Sequence, residues 1–186
     1  MKKLLLILLC LPMIVFGQSN LQLGERVYFK NFSNAQGIDI SFKEPKGWQT
    51  GDESFAIDND NLVLSYLNTS EILMLQLYIS ETPYPKMNRS EVDEILNREE
   101  FISSFSNNQF PLAAGYSVDN TSLTYINGYP FIQVLAESHK VQYNVNWITF
   151  IDDKMINIVC VSLKDNFVNV FPFFNQIKEN LILKEN

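Results

Sequence analysis

Between residues 125 and 163 the chain runs through three alternating apolar segments separated by two or three polar residues, and no other stretch limits its fold so strongly. In the middle segment Val141, Tyr143, Val145, Trp147, Thr149 and Ile151 share one side of a strand. Gln142, Asn144 and Asn146 lie opposite until Ile148 and Phe150 replace them. That period of two describes a strand buried along one face and covered on the other only near its end. Ahead of it, residues 131–138 alternate around Ile132, Val134 and Ala136. Behind it, residues 155–163 are apolar on both faces, as in a strand at the middle of a sheet. His139-Lys140 and Asp152-Asp153-Lys154 are too short to hold a crossover helix, so the three strands form an antiparallel meander. Asn127-Gly128 suits a two-residue type I′ turn entering the meander from a short strand over residues 121–126.

Residues 1–17 have the anatomy of a signal peptide: Lys2 and Lys3, an apolar run from Leu4 to Phe16, then Gly17. The run is shorter than the ~20 residues a bilayer-spanning helix needs. Gly17, with Val15 two places before it, fits signal-peptidase cleavage ahead of Gln18. Cys10 follows Leu8 and Leu9 where a lipoprotein signal has a small residue, so lipidation is not expected. The remaining residues 18–186 suit one domain with a real core and no span. Losing Lys2 and Lys3 takes the formal charge from −7 to −9. Such an acidic balance speaks against nucleic acid or anionic lipid as partner. Cys160 is then the one remaining thiol, so no intrachain disulfide can form; between Val159 and Val161 it reads as buried and inert.

The rest of the chain supplies an α+β complement. Residues 27–32 and 38–42 read as strands joined by a turn at residues 34–37, and Pro45-Lys46-Gly47-Trp48 ends the second by turning Trp48 toward the core. Asp58-Asn59-Asp60-Asn61 alternates oxygens like a calcium loop. The glycine and glutamate that an EF-hand places sixth and twelfth are Val63 and Thr69, so a solvated turn is expected. Residues 71–80 form a strand whose Leu73, Leu75, Leu77 and Ile79 face should meet a helix layer. Ser90 with Asp93 reads as the acidic variant of a helix-capping box opening an amphipathic helix over residues 91–106. Glu91, Asp93 and Glu94 occupy its first turn, where the helix dipole favours acids, and Glu99 and Glu100 fall on its solvated face. Residues 107–115 read as a loop. At the C-terminus Val170, Phe171, Phe174, Ile177 and Leu181 keep helical spacing, and an N-cap at Asn169 would put Pro172 in the first turn.

The segment Ile40-Ser41-Phe42-Lys43-Glu44-Pro45-Lys46-Gly47-Trp48 resembles the first strand-turn of PsbP-like and DcrB-like domains. The likeness continues in order through the strand at Glu71, the helix at Ser90, Ile126-Asn127-Gly128-Tyr129-Pro130, the meander, and Phe171-Pro172-Phe173-Phe174. It implies an α/β/α sandwich around a central antiparallel sheet with a small N-terminal hairpin. Members of this family are mostly non-enzymatic: an extrinsic photosystem subunit, Ran-binding import factors of the Mog type, and bacterial envelope proteins of the DcrB type. The matching positions are structural, so no binding residue carries over. The leader excludes the nuclear role and points to a secreted or periplasmic bacterial protein.

Function is therefore expected to be that of a non-enzymatic envelope interaction module with a protein partner. The alternative is a carrier of a small apolar ligand or lipid, suggested by abundant Phe. No catalytic, cofactor or metal residues are assigned. The sole histidine, His139, falls at a hairpin tip without the neighbours a zinc site needs, and the sequence has neither a Gly-rich phosphate loop nor a Gly-x-Ser-x-Gly elbow. Intact-mass analysis of the exported protein should find Gln18 at its N-terminus; a mass retaining Met1 or carrying a lipid on Cys10 would overturn the cleavage assignment.

Overall fold

A computed structural model describes residues 21–51 and 60–184. The leader, its Gly17/Gln18 cleavage point, and Asp58 and Asn59 of the acidic turn lie outside them. The chain first forms β1 (Leu23–Tyr28), β2 (Asp39–Pro45), β3 (Gln49–Thr50), β4 (Leu62–Asn68) and β5 (Leu73–Glu81). Two helices follow, α1 (Arg89–Leu96) and α2 (Glu99–Gln109). The meander is β6 (Tyr116–Ile126), β7 (Tyr129–Ser138), β8 (Gln142–Ile151) and β9 (Lys154–Leu163), and α3 (Phe167–Glu179) and β10 (Ile182–Lys184) close the chain. The strands make two antiparallel sheets, a small one of order β1-β2-β10 and a large one of order β3-β4-β5-β9-β8-β7-β6. The fold is α+β.

The meander takes the pairing its polar punctuation predicts. Asn127-Gly128 has positive φ at both residues, 47° and 81°, as does His139-Lys140, 51° and 64°. These are the signs a type I′ turn requires to match the strand twist. β9 lies mid-sheet between β5 and β8. Helices cover both faces of the sheet. On the face carrying Ile148 and Phe150, α1 and α2 deliver Val92, Leu96 and Phe105, with the Phe105 ring 5.6 Å from that of Phe150. On the face carrying Tyr143, Val145 and Trp147, α3 brings Phe167 to 4.3 Å from the Tyr143 ring. The Leu73, Leu75, Leu77 and Ile79 side of β5 alternates onto this α3 face, and all four are buried. Near it the N-terminal connection docks, with Asn34 Nδ2 donating to the Leu62 carbonyl and Gln36 Nε2 to that of Ile79.

Five local expectations need correction. The N-terminal hairpin strands lie at Leu23–Tyr28 and Asp39–Pro45, and β10 joins them to make three. The single helix over residues 91–106 is two, broken at Asn97-Arg98. Asn97 still makes the helical bond from its N–H to the Asp93 carbonyl and adds its Nδ2 to the same oxygen; the helix ends at Arg98, which is extended and turns its N–H back to the Ile95 carbonyl. The cap is not Ser90 with Asp93 but Asn88, whose side chain accepts from the Glu91 N–H while the Glu91 carboxylate accepts from the Asn88 N–H. β6 begins at Tyr116 rather than Thr121, because Ser117, Asp119 and Asn120 lie on the sheet's edge and show no apolar period. Finally, α3 begins at Phe167, so Pro172 stands inside it. The missing N–H forfeits a bond to the Val168 carbonyl, close to the helix's exposed start where water can serve instead.

Trp48 is only half-buried, its ring 5.9 Å from that of Phe173 on α3, so it braces the strand-turn against the helix instead of plugging the core. Cys160 is fully buried on β9, and burial pushes its thiol well above the ordinary range. Thiolate is the reactive form. Labelling of the native protein by iodoacetamide at neutral pH should accordingly be far slower than after denaturation; equal rates would displace β9 from the centre.

Candidate functional site

The helix-covered face bearing Phe150 is covered over only part of its length. α1 and α2 sit over Ile132, Ile148 and Phe150. Toward the other end of β8, a cleft of about 380 Å³ remains open over Asn144 and Asn146. The sheet register explains its floor. Asn146 stands opposite Val159, which stands opposite Gln76; one step along, Asn144 faces Val161 and Val161 faces Met74. Asn157, paired with Tyr78 on one side and Ile148 on the other, adds a third carboxamide diagonal to Asn146. Phe110 at the end of α2 and Tyr116 at the start of β6 form a wall, their rings edge-to-face at 5.5 Å.

Asn144 and Asn146 are 7% and 2% exposed, so the face expected to be solvated is buried. Yet Asn144 Oδ1, Asn146 Nδ2 and Asn157 Oδ1 have no hydrogen-bond partner among the described residues. Leaving such a group buried and unpaired costs about 1–3 kcal/mol, and natural cores rarely tolerate a cluster. Tyr78 is better placed: its hydroxyl donates to Gln76 Oε1 at 2.8 Å, which orients the Gln76 amide and leaves its Nε2 as a donor. Burial, and to a lesser degree the charge that would form on Tyr116, push the Tyr78 phenol up, so it stays protonated at neutral pH. Among the described residues no Asp, Glu, Lys, Arg or His lines the cleft. Its floor is a neutral array of donors and acceptors beside apolar side chains.

A larger groove, about 630 Å³, runs between α2 and the edge strand β6. Glu99 and Asp119 border it, and it holds one buried unpartnered polar atom, Ser106 Oγ. The cleft concentrates three such atoms and is the stronger candidate.

The residues singled out in the sequence scatter. His139 is exposed in the β7–β8 turn, its backbone N–H bonded to the Gly115 carbonyl and its ring 6.4 Å from Tyr116. Cys160 is on β9 facing the other side of the sheet from Asn157 and Val159. Glu91 is used up in the cap of α1, Asp93 accepts from the Tyr125 hydroxyl at 2.7 Å, and Glu94 pairs with Arg98 one helical turn on. Among the described residues no group of three or more acids, histidines or cysteines could hold a metal ion. Sequence reasoning passed over Asn144, Asn146 and Asn157. A signal was present: Asn is disfavoured in strands, and an ordinary solvent face carries Lys, Glu or Thr, not Gln142, Asn144 and Asn146 in succession.

No protein-family model matches this sequence, and no curated protein matches it. Solved structures do. The cyanobacterial PsbP of Synechocystis superposes with a TM-score of 0.55 at 11% identity, over 92% of this chain and 99% of that one. LpqN of Mycobacterium tuberculosis, described as involved in cell envelope biogenesis, superposes with a TM-score of 0.54 at 11% identity, over 89% and 92%. The chain thus has the fold of a PsbP-like domain. Among the described residues no helix is long and apolar enough to cross a membrane.

The buried Tyr66 and half-buried Tyr78 phenols generate a pH prediction. The Tyr78 pKa is raised in the folded state, as is that of Tyr66, by burial and by Glu44, which accepts from its hydroxyl. For a raised pKa, the stability is fully present below the unfolded value of about 10 and declines as pH rises beyond it. Tyrosinate absorbance should show Tyr66 and Tyr78 ionising above the ordinary value of about 10 in the native protein; ionisation of both at that value without loss of structure would contradict the raised pKa.

Proposed function

We propose that the protein is a non-catalytic module of the bacterial cell envelope, secreted or periplasmic, that works by binding an envelope component in the carboxamide-floored cleft. The observation that carries this reading is the clustering of Asn144 Oδ1, Asn146 Nδ2 and Asn157 Oδ1, buried and unpartnered, in a cleft without charged lining among the described residues. A site that lacks charge suits holding better than proton transfer or nucleophilic attack, which call for a titratable group tuned to the task. His139 and Cys160 offer little to such chemistry, one being exposed in a turn and the other sealed in the sheet. Support for an envelope role comes from the leader read in the sequence and from the shared fold of LpqN. Carriage of an apolar ligand fits less well. A lipid tail against three unpaired carboxamides would leave their hydrogen bonds unmade.

Polar groups kept for binding are a burden on folding, and their replacement by apolar groups of similar size can stabilise a protein at the expense of function. Asn146→Leu should therefore raise stability by about 1–3 kcal/mol, which is a rise of several degrees in Tm for a domain of about 150–250 residues. Thermal unfolding followed by circular dichroism measures it. A lower Tm would mean that Asn146 belongs to a satisfied structural network, and the cleft would lose its claim to be a binding site.

A further inference from the structure

Building on the cleft as the binding site, we propose that the group it seats is an uncharged saccharide unit, its hydroxyls paired with the carboxamides of Asn144, Asn146 and Asn157. Charge is the first discriminator. An anion or cation entering the cleft would shed water and meet no counter-charge among the described residues, which makes binding of ions unfavourable. Hydrogen-bond type is the second. Just beneath the floor lie unpaired acceptors at Asn144 Oδ1 and Asn157 Oδ1 and an unpaired donor at Asn146 Nδ2, with Gln76 Nε2 a further donor, so a ligand to which these carboxamides turn must both give and take hydrogen bonds. A hydroxyl does both. Two neighbouring hydroxyls of a sugar ring can span the N and O of one carboxamide, which few other neutral groups match.

The position of the cleft discriminates against a peptide. Peptide strands are most often bound by addition to a sheet edge, where backbone groups are free. The cleft lies instead over β5, β9 and β8, inner strands whose backbone groups are paired on both sides. Recognition there has to run through side chains. The remaining lining suits the carbon side of a sugar ring, with Val159, Val161 and Met74 between the carboxamides and the Phe110–Tyr116 pair beside them. About 380 Å³ is also near the lower end of the ~300–1,000 Å³ typical of ligand sites, the scale of one or two sugar rings.

Titration calorimetry on the exported protein tests the proposal. The probes are maltose, cellobiose and diacetylchitobiose as neutral saccharides, glucuronate and glucosamine as charged ones, and end-blocked trialanine as a peptide. At least one neutral disaccharide should bind, the charged sugars more weakly, and Asn146→Leu should weaken binding roughly tenfold or more, as loss of a buried hydrogen bond does. Gln142→Ala, at the partly exposed rim, should weaken it too while leaving the unfolding curve unchanged. Absence of binding by every neutral saccharide, preference for trialanine, or binding indifferent to both substitutions would each overturn the saccharide assignment. If Asn146→Leu still raises Tm in those cases, the cleft stands as a binding site and only its ligand is wrong. If Tm falls, both readings fail together.

Discussion

β8 and β9 pair without a break from Gln142 opposite Leu163 to Ile151 opposite Lys154, and both faces of the molecule depend on that register. Side chains alternate along a strand, so a slip of one residue would exchange the two faces. Trp147, fully buried with its Nε1 donating to Gln133 Oε1 at 2.9 Å, would be driven toward the cleft. Asn144 and Asn146 would be driven under α3. The short turns at His139-Lys140-Val141 and Asp152-Asp153 allow no such slip, because each fixes which residues of the flanking strands face one another. Thr149 adds a lock, its hydroxyl donating to the Pro130 carbonyl at 2.7 Å on the neighbouring strand.

From this follows a division of labour between the two sides of one strand. The Val145–Trp147 side is apolar and closed by α3 and the small sheet, and it holds much of the stabilising burial. The Asn144–Asn146 side is held in place by that burial while its own side chains satisfy none of the usual conditions of a core. Burial of this kind persists only when the surroundings over-determine it, and here the ladder on each side of β8 does so. The breadth of the Phe cluster under α1 and α2 serves the same end. Phe101, Phe105, Tyr84 and Phe150 form one aromatic group, edge-to-face apart from the stacked Phe101–Phe105 pair, that anchors α2 at one end of the sheet and so leaves the other end open.

The meander, its turns and its antiparallel order were legible in the sequence because apolar period, Asn-Gly and short polar punctuation all point the same way. So was the burial of Cys160. The break of the helix at Asn97-Arg98 was not, since apolar spacing carries through it, from Leu96 to Ile102 and Phe105; what ends α1 is local backbone geometry, the extended Arg98 turning its N–H back to the Ile95 carbonyl while the Asn97 side chain bonds the Asp93 carbonyl. The start of β6 was hidden for another reason: an edge strand needs no apolar face. The site was least legible. Gln142, Asn144 and Asn146 put a polar residue at every second position, which has the period of a solvent face, and only their being three carboxamides in succession departs from one. Whether such a face meets water or a cleft is decided by Phe110 and Tyr116, which lie more than twenty residues away and arrive only through the packing of α2 and β6.

β6 ends the large sheet with an eleven-residue strand whose outer backbone groups have no strand beside them among the described residues. A flat edge of that length would template pairing with a second molecule. The shift in pairing between Val118 and Asn120 interrupts it with a bulge, and Asp119, at that bulge, accepts a hydrogen bond from the Tyr143 hydroxyl. A carboxylate set at a kink spoils the regular row of donors and acceptors that an incoming strand would need. The same residues that concealed this strand from a hydrophobic pattern thus make its edge irregular, and an irregular edge is a poorer template for a further strand than a flat one.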